Sequence, residues 1–228
     1  MHADLTFGLQ SPYRDGSPIS QLSLGFNSRF IAFAYQFDRL EDQLSGSGII
    51  HAHTYRIALW GTDARRRVGV AGAVNLYGGG QRSSSTSWDV GVAYRLGSRF
   101  DLGAVAANAV GHPTIRGTAL STLFRPAVTV HAGSFVALQA QGNWSGRLGW
   151  LGYGFGGQLR LAGKTALQIN ARLDTDQSLR RQAFTFGLTV GGDNRGAAMF
   201  TTSGNLKRGE AVSLHGISER PRESSRRR

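Results

Sequence analysis

The stretch Ser87-Trp88-Asp89-Val90-Gly91-Val92-Ala93-Tyr94-Arg95-Leu96 decides the fold. Its even-numbered residues are all large and apolar, whereas its odd-numbered residues are small or polar. Because successive side chains of a β-strand point to opposite faces, this pattern predicts a strand with one apolar face. After the short turn at residues 97–99 the alternation returns with Phe100, Leu102, Ala104 and Ala106. The two runs therefore predict a β-hairpin.

The same unit, alternation followed by a polar turn, recurs along most of the chain. It predicts about fourteen strands, at residues 4–10, 20–26, 29–38, 49–60, 67–77, 87–96, 99–108, 124–132, 135–143, 150–161, 165–173, 181–191, 197–203 and 209–217. Their connections alternate between tight turns (97–99, 133–134, 162–164) and longer segments (41–48, 78–86, 109–123, 174–180). Serial hairpins of this length predict an all-β fold, an up-and-down antiparallel transmembrane-type β-barrel of about 12–14 strands. We expect one barrel domain, residues 1–217, followed by a basic disordered tail, residues 218–228.

The apolar phase of the strands predicts a surface that faces lipid. Its candidate residues are Tyr55, Ile57, Leu59, Val90, Val92, Tyr94, Leu102, Tyr153, Phe155, Leu167, Ile169, Phe184, Phe186 and Leu188. Aromatic residues near strand ends are typical of the two girdles of a membrane barrel. The candidates for these girdles are Trp60, Tyr77, Trp88, Trp144 and Trp150. The other phase is rich in small residues, which predicts a narrow lumen rather than a wide ion pore.

The charge of the chain is strongly positive, at +12, and arginine accounts for nearly all of it. Many arginines lie in predicted turns, for example Arg65-Arg66-Arg67, and others lie in the tail. We interpret them mainly as solvated turn residues. Two alternatives stay open: contact with anionic headgroups or lipopolysaccharide phosphates, and nucleic-acid binding by a basic sheet.

The chain offers few groups for catalysis or metal binding. It has no cysteine, which excludes disulfides and thiolate chemistry. His51 and His53 share one strand face but have no third ligand at an obvious spacing. Asp174 and Asp176 resemble part of a calcium loop without its glycine and glutamate, so a polar turn is the better interpretation. We predict no enzyme activity, no cofactor and no metal.

The hairpin over residues 87–108 resembles a recurring hairpin of bacterial outer-membrane barrels of the long-chain fatty-acid transporter and PorV-like kind. The hairpin from Phe124-Arg125-Pro126 to Gln141 and the end segment 210–220 fit the same pattern. More narrowly, they resemble the barrel module that precedes the Ser–Lys protease domain in some bacterial SppA-type signal peptide peptidases. The resemblance covers roughly residues 20–220 and implies association with a peptidase domain or a periplasmic protein. It transfers no catalytic residue, since this chain stops where a protease domain would begin.

These observations predict a non-enzymatic barrel in the bacterial outer membrane, acting as a porin-like transporter or as a membrane anchor. Its partners would be the lipid bilayer and lipopolysaccharide, with a small-molecule solute as cargo and no nucleic acid. No secretory signal is visible at Met1-His2-Ala3-Asp4, so we expect a misplaced start, a fragment, or a protein that is not exported. The alternative is a soluble β-barrel or sandwich that binds a ligand or a protein, with its apolar face turned inward.

Overall fold

The strands occupy most of the described chain. The structure is a computed structural model that describes residues 3–12, 21–28, 30–41, 49–79, 85–115, 118–161, 167–191, 194–203 and 209–219. Its strands are β1 (Ala3–Pro12), β2 (Gln21–Ser28), β3 (Ile31–Glu41), β4 (Ile49–Thr62), β5 (Val68–Gly78), β6 (Ser85–Leu96), β7 (Phe100–Val110), β8 (Thr114–Ile115), β9 (Thr118–Ala119), β10 (Leu123–Ala132), β11 (Val136–Ser145), β12 (Gly149–Leu161), β13 (Leu167–Asp176), β14 (Arg181–Gly191), β15 (Asn194–Ser203) and β16 (Gly209–Glu219).

The strands form a closed antiparallel barrel. Each of the long strands pairs with its neighbours in chain order, and β16 returns to pair with β1 from Asp4↔Glu219 to Pro12↔Ala211. The short β8 and β9 form a separate two-stranded hairpin, so that β7 pairs with β10. Within the described residues the barrel has fourteen strands, which confirms the predicted all-β up-and-down fold. Closure leaves no unpaired sheet edge.

The period-two pattern stays in phase from strand to strand, so one face of the wall is mainly apolar and the other is mainly polar or small. Cross-strand pairs such as Phe33↔Ile57, Ile57↔Val74 and Val74↔Trp88 bring apolar residues side by side. Many side chains of this phase are more than a third exposed, as the values for Phe33 (45%), Leu59 (55%) and Val90 (51%) illustrate. Buried polar residues such as Asn75, Ser87 and Asp89 lie on the opposite phase. Side chains converge on the concave side of a curved wall and diverge on its convex side, so the apolar phase is the outer face and the polar phase is the inner face.

The two ends of the barrel differ in their connections. At one end, which we call the short-turn end, residues 63–67, 97–99 and 133–135 join consecutive strands. Adjacent turns there are tied by backbone hydrogen bonds, from the Arg95 N–H to the Arg67 carbonyl and from the His131 N–H to the Arg99 carbonyl, both 2.7 Å. The other end, the loop end, carries the connection of residues 111–122 that contains β8 and β9.

One connection at the loop end is shorter than predicted. Residues 174–180 were expected to form a longer segment, but β13 continues to Asp176 and only residues 177–180 connect it to β14. The Asp176 carboxylate explains this, because it accepts hydrogen bonds of 2.8 Å from the backbone N–H groups of Ser178 and Arg180. Of the predicted connections 41–48, 78–86 and 162–164, residues 42–48, 80–84 and 162–164 lie outside the described residues. The predicted tail 218–228 does so from Arg220 onward, whereas Ser218 and Glu219 belong to β16.

β-Bulges near the loop end shift the alternation locally. Register shifts occur at Trp88/Val90, Asn143/Trp144 and Asp174/Thr175. Gly152, on β12 between two of these shifts, has a φ of 150°, and a Cβ there would lie 2.0 Å from the Thr175 carbonyl oxygen. The backbones of β12 and β13 therefore approach closely only because residue 152 has no side chain.

Candidate functional site

The outer face carries the residues that the sequence predicts to meet lipid. One group of these residues is exposed, each between 38% and 57%: Tyr55, Ile57, Leu59, Val90, Val92, Tyr94, Leu102, Phe155, Phe186 and Leu188. The remaining candidates are half-buried: Tyr153, Leu167, Ile169 and Phe184. The register places both groups on the same apolar phase of the wall. An apolar surface this extensive is unusual for a protein surrounded by water.

Three of the predicted girdle residues lie near strand ends at the loop end, on the outer face. Trp88 lies near the start of β6 and is 51% exposed. Trp144 pairs with Trp150 across β11 and β12, and the Trp150 ring centroid lies 5.4 Å from that of Tyr153. The Trp150 ring lies over Gly142, where a Cβ would lie 2.7 Å from it, and Gly142 pairs with the outward Tyr153, so this ring lies on the outer face. A membrane–water interface favours tryptophan side chains, because the ring is apolar and its N–H group is polar.

The other two girdle candidates require a correction, because the register places Trp60 and Tyr77 on the inner face. Trp60 belongs to the same phase of β4 as Arg56, and Tyr77 belongs to the same phase of β5 as Asn75. The Tyr77 hydroxyl lies 3.2 Å from Ser87 Oγ. Their prediction rested on nearness to a strand end. The phase of Trp60 and Tyr77 relative to their neighbours, which is visible in the sequence, would have placed them on the inner face. The same rule would have misplaced Trp150, which has the parity of the inward residues of β12 and lies on the outer face beyond the register shift at Asn143/Trp144.

The inner face of β4, β5 and β6 holds a hydrogen-bonded network that the sequence reasoning missed. Arg56 Nη2 donates to Asp89 Oδ2 at 2.8 Å, and Arg56 Nε donates to Asn75 Oδ1 at 2.6 Å. Asn75 Nδ2 donates to the same Asp89 oxygen at 2.9 Å, and the backbone N–H of Asn108 donates to Asp89 Oδ1 at 2.8 Å. Asn75 and Ser87 are fully buried, at 1% and 0% exposure. Arg56 thus reaches across β5 to β6, which a concave wall makes easier.

A second ionic cluster lies at the short-turn end. Asp101 on β7 accepts hydrogen bonds from Arg95 Nε (2.8 Å) and Nη2 (3.2 Å) on β6. His131 Nε2 on β10 lies 2.8 Å from the second oxygen of the same carboxylate. One carboxylate therefore holds a guanidinium and an imidazole from the two flanking strands. Bidentate contacts of this kind orient a guanidinium as well as neutralising part of its charge.

A third polar region covers the inner face of β10 to β14. A cavity of about 380 Å³ opens there, lined by Gln139, Gln158, Asn170, Arg172, two threonines and several small residues. Arg172 is paired with Asp174, with Nη2 and Oδ1 2.8 Å apart. Glycine and alanine thus make up much of the lining, and its polar side chains are amides, hydroxyls and one guanidinium. Asp174 and Asp176 serve an ion pair and a turn, respectively, rather than one shared site.

The histidine pair lies on the outer face near the loop end. His53 Nδ1 is 2.9 Å from the Tyr35 hydroxyl, and both His51 and His53 pack against Phe37 with ring centroids 5.3 and 5.4 Å apart. Among the described residues no group of three or more His, Asp, Glu or Cys side chains could hold a metal ion. The same part of the chain contains no helix long and apolar enough to cross a membrane.

Comparisons with known proteins return solved porin structures. No protein-family model matches the chain, and no curated protein sequence matches it. A triple mutant of the Rhodopseudomonas blastica porin is similar at a TM-score of 0.45 and 10% identity, over 96% of this chain and 99% of the porin chain. The KdgM porin is similar at a TM-score of 0.47 and 8% identity, over 96% of this chain and 98% of its own.

Proposed function

We propose that this protein is a bacterial outer-membrane β-barrel that lets small hydrophilic solutes pass through its lumen. The observation that supports it best is the distribution of polarity across the wall. Outward side chains such as Val92 and Leu102 are apolar and exposed, whereas buried side chains such as Asn75 and Asp89 are polar. Lipid satisfies the first group, whereas the second group is satisfied by hydrogen bonds on the inner face.

The soluble alternative would need an apolar core inside the barrel. Within the residues whose burial the structure describes, Ala52 is the one buried hydrophobic residue. A soluble barrel with its apolar phase inward would instead bury many large aliphatic and aromatic residues. The inner face also carries Arg125 and Arg160 by register, and neither forms an ion pair with any described residue. The polarity pattern therefore favours the membrane barrel.

The size of the barrel supports a route through it. Side chains fill a barrel of about eight strands, whereas barrels of roughly 16–18 strands leave an aqueous channel. The fourteen strands described here lie nearer the second group. The lumen was predicted to be narrow rather than a wide ion pore, and small inner residues such as the neighbouring Gly69, Ala93 and Gly103 on β5, β6 and β7 leave room in it for a small solute. In such barrels the short turns face the periplasm, so we place the short-turn end on that side.

Liposome swelling with sugars of increasing size tests this function. The refolded protein should give swelling that falls as the sugar grows, and its gel mobility in detergent should change on boiling. Ala93→Trp should slow swelling because it narrows the lumen, while the matched outward change Val92→Trp should leave the rate within about twofold of wild type. Absence of swelling for every sugar would overturn the proposal, as would equal effects of the two tryptophan variants. Anchoring of a peptidase domain or a periplasmic protein stays a prediction of the sequence resemblance.

A further inference from the structure

A basic pocket lies at the short-turn end, on the rim of the lumen. It is lined by Arg65 and Arg67 from the turn between β4 and β5, Arg95 from the end of β6, Ser98 from the next turn, His131 from β10, and two glycines. Its volume is about 520 Å³, which lies within the range of small-molecule sites. Groups from three consecutive connections thus meet around one opening.

The turn that carries two of these arginines is held in one conformation. The Asp63 carboxylate accepts hydrogen bonds from the backbone N–H groups of Arg67 (2.6 Å), Val68 (2.8 Å) and Arg65 (3.3 Å). Arg66 lies between them with a φ of 54°, which reverses the chain. The hydrogen bond from the Val68 N–H, with those from Arg67 and Arg65, keeps the pKa of Asp63 below its usual value. The backbone is therefore set before any ligand arrives.

The charge of the pocket is positive on balance. Arg65 and Arg67 form no side-chain hydrogen bond and no ion pair with any described residue, while Arg95 and His131 share the carboxylate of Asp101. The guanidinium groups of Arg65, Arg67 and Arg95 carry three positive charges, against two negative charges on Asp101 and Asp63. The Asp63 carboxylate already accepts hydrogen bonds from the backbone of its own turn, so the guanidinium N–H groups of Arg65 and Arg67 are available to a ligand.

The pocket floor leaves space for a ligand. Gly97 and Gly133 have positive φ values of 67° and 71°, and a Cβ on either would meet nothing within 4 Å. Phosphate oxygens accept several hydrogen bonds, and the guanidinium fork matches them in pairs. The hydroxyl of Ser98 adds a neutral donor beside the arginines.

From this arrangement we infer that the pocket binds the phosphate group of a small solute at the mouth of the lumen, with Arg65 and Arg67 as its main donors. The inference rests on the proposed function, because it names a class of solute for the same lumen. Phosphate groups reach this site from two sources, a solute in water or a lipid headgroup. The position on the inner rim favours the solute.

Titration of the full chain, refolded in neutral detergent, with inorganic phosphate tests the site without requiring permeation. Arg65→Gln combined with Arg67→Gln should raise the dissociation constant at least tenfold. The control combines Arg66→Gln with Arg147→Gln. Arg147 lies at the loop end, in the connection 146–148 between β11 and β12. This pair removes the same charge as the test pair, one from the same turn and one from the opposite end, but changes no residue of the pocket. The control should change the dissociation constant for phosphate by less than about threefold at the same ionic strength.

Three outcomes would overturn the inference. They are no saturable phosphate binding by the wild type, equal weakening by the two double variants, and binding to phosphatidylglycerol vesicles that free phosphate does not compete away. The last outcome would assign the arginines to a lipid headgroup. Phosphate binding without liposome swelling would support the phosphate site and overturn the proposed solute route through the lumen. Swelling without phosphate binding would support the route and overturn the site.

Discussion

Substituting arginine for Val92 tests the orientation of the wall. Val92 lies on the outer face of β6, 57% exposed, beside Val70 of β5 and Ala104 of β7. Strand β6 has 12 residues. At a rise of about 3.3 Å per residue and a tilt of about 40°, it spans roughly 30 Å along the barrel axis. Val92 then lies about 4 Å from the midplane, well inside an apolar band about 25 Å tall.

The expected cost follows from that depth. Arginine on the lipid face costs about 2–4 kcal/mol at the midplane and about 0–1 kcal/mol near the interfaces. We therefore expect Val92→Arg to lower the free energy of unfolding by about 3 kcal/mol. With a urea dependence of about 2 kcal/mol per molar, the unfolding midpoint should fall by roughly 1.5 M.

The adjacent substitution Ala93→Arg is the matched control. Ala93 faces the lumen between the small residues Gly69 and Gly103, so an arginine there has room and water. Its cost should stay within about 1 kcal/mol. Urea unfolding in phosphatidylcholine vesicles, followed by tryptophan fluorescence and by a heat-modifiability gel, measures both variants. Equal destabilisation by the two, or a larger cost for Ala93→Arg, would refute the assignment of faces.

Three further changes test the wall and the turns. Gly152→Ala should destabilise the barrel by about 2 kcal/mol or more, because a Cβ there collides with the Thr175 carbonyl; a wild-type urea midpoint would contradict the close approach. Asp89→Ala leaves one guanidinium, one amide and one backbone N–H without their acceptor and should cost about 2–4 kcal/mol, whereas Asp89→Asn should cost less in the same assay. The depressed pKa of Asp63 means that its bonds to the turn are intact above the unfolded pKa of about 4 and are lost as the pH falls through the folded value. Amide exchange at Val68 should accordingly accelerate relative to its intrinsic rate as the pH falls below the unfolded value through the lower folded pKa of Asp63, and Asp63→Ala should abolish this pH dependence.

Much of the architecture is readable from the sequence because the signal is local. Strict alternation over 87–96 and 100–106 predicts two strands, and β6 and β7 lie there. The orientation of Val90 and Val92 follows from the same period of two. The prediction is weakest at strand ends, as at β13, where the Asp176 turn extends the strand beyond residue 173. Nearness to a strand end was also a poor guide for Trp60 and Tyr77, whose phase places them on the inner face.

The pairing of distant residues was decided by tertiary structure alone. Arg56 and Asp89 are 33 positions apart, and Asp101 and His131 are 30 apart. Their contacts depend on the register between strands and on the curvature that brings second neighbours together. The pocket around Arg65 and Arg67 depends likewise on the stacking of separate turns. Alternation by itself therefore determined where the strands are and which side of each is apolar, because side-chain direction along a strand is a property of adjacent residues. Tertiary structure alone decided the closure of β16 onto β1 and the polar clusters of the inner face. Both depend on register and curvature, which are properties of the whole sheet.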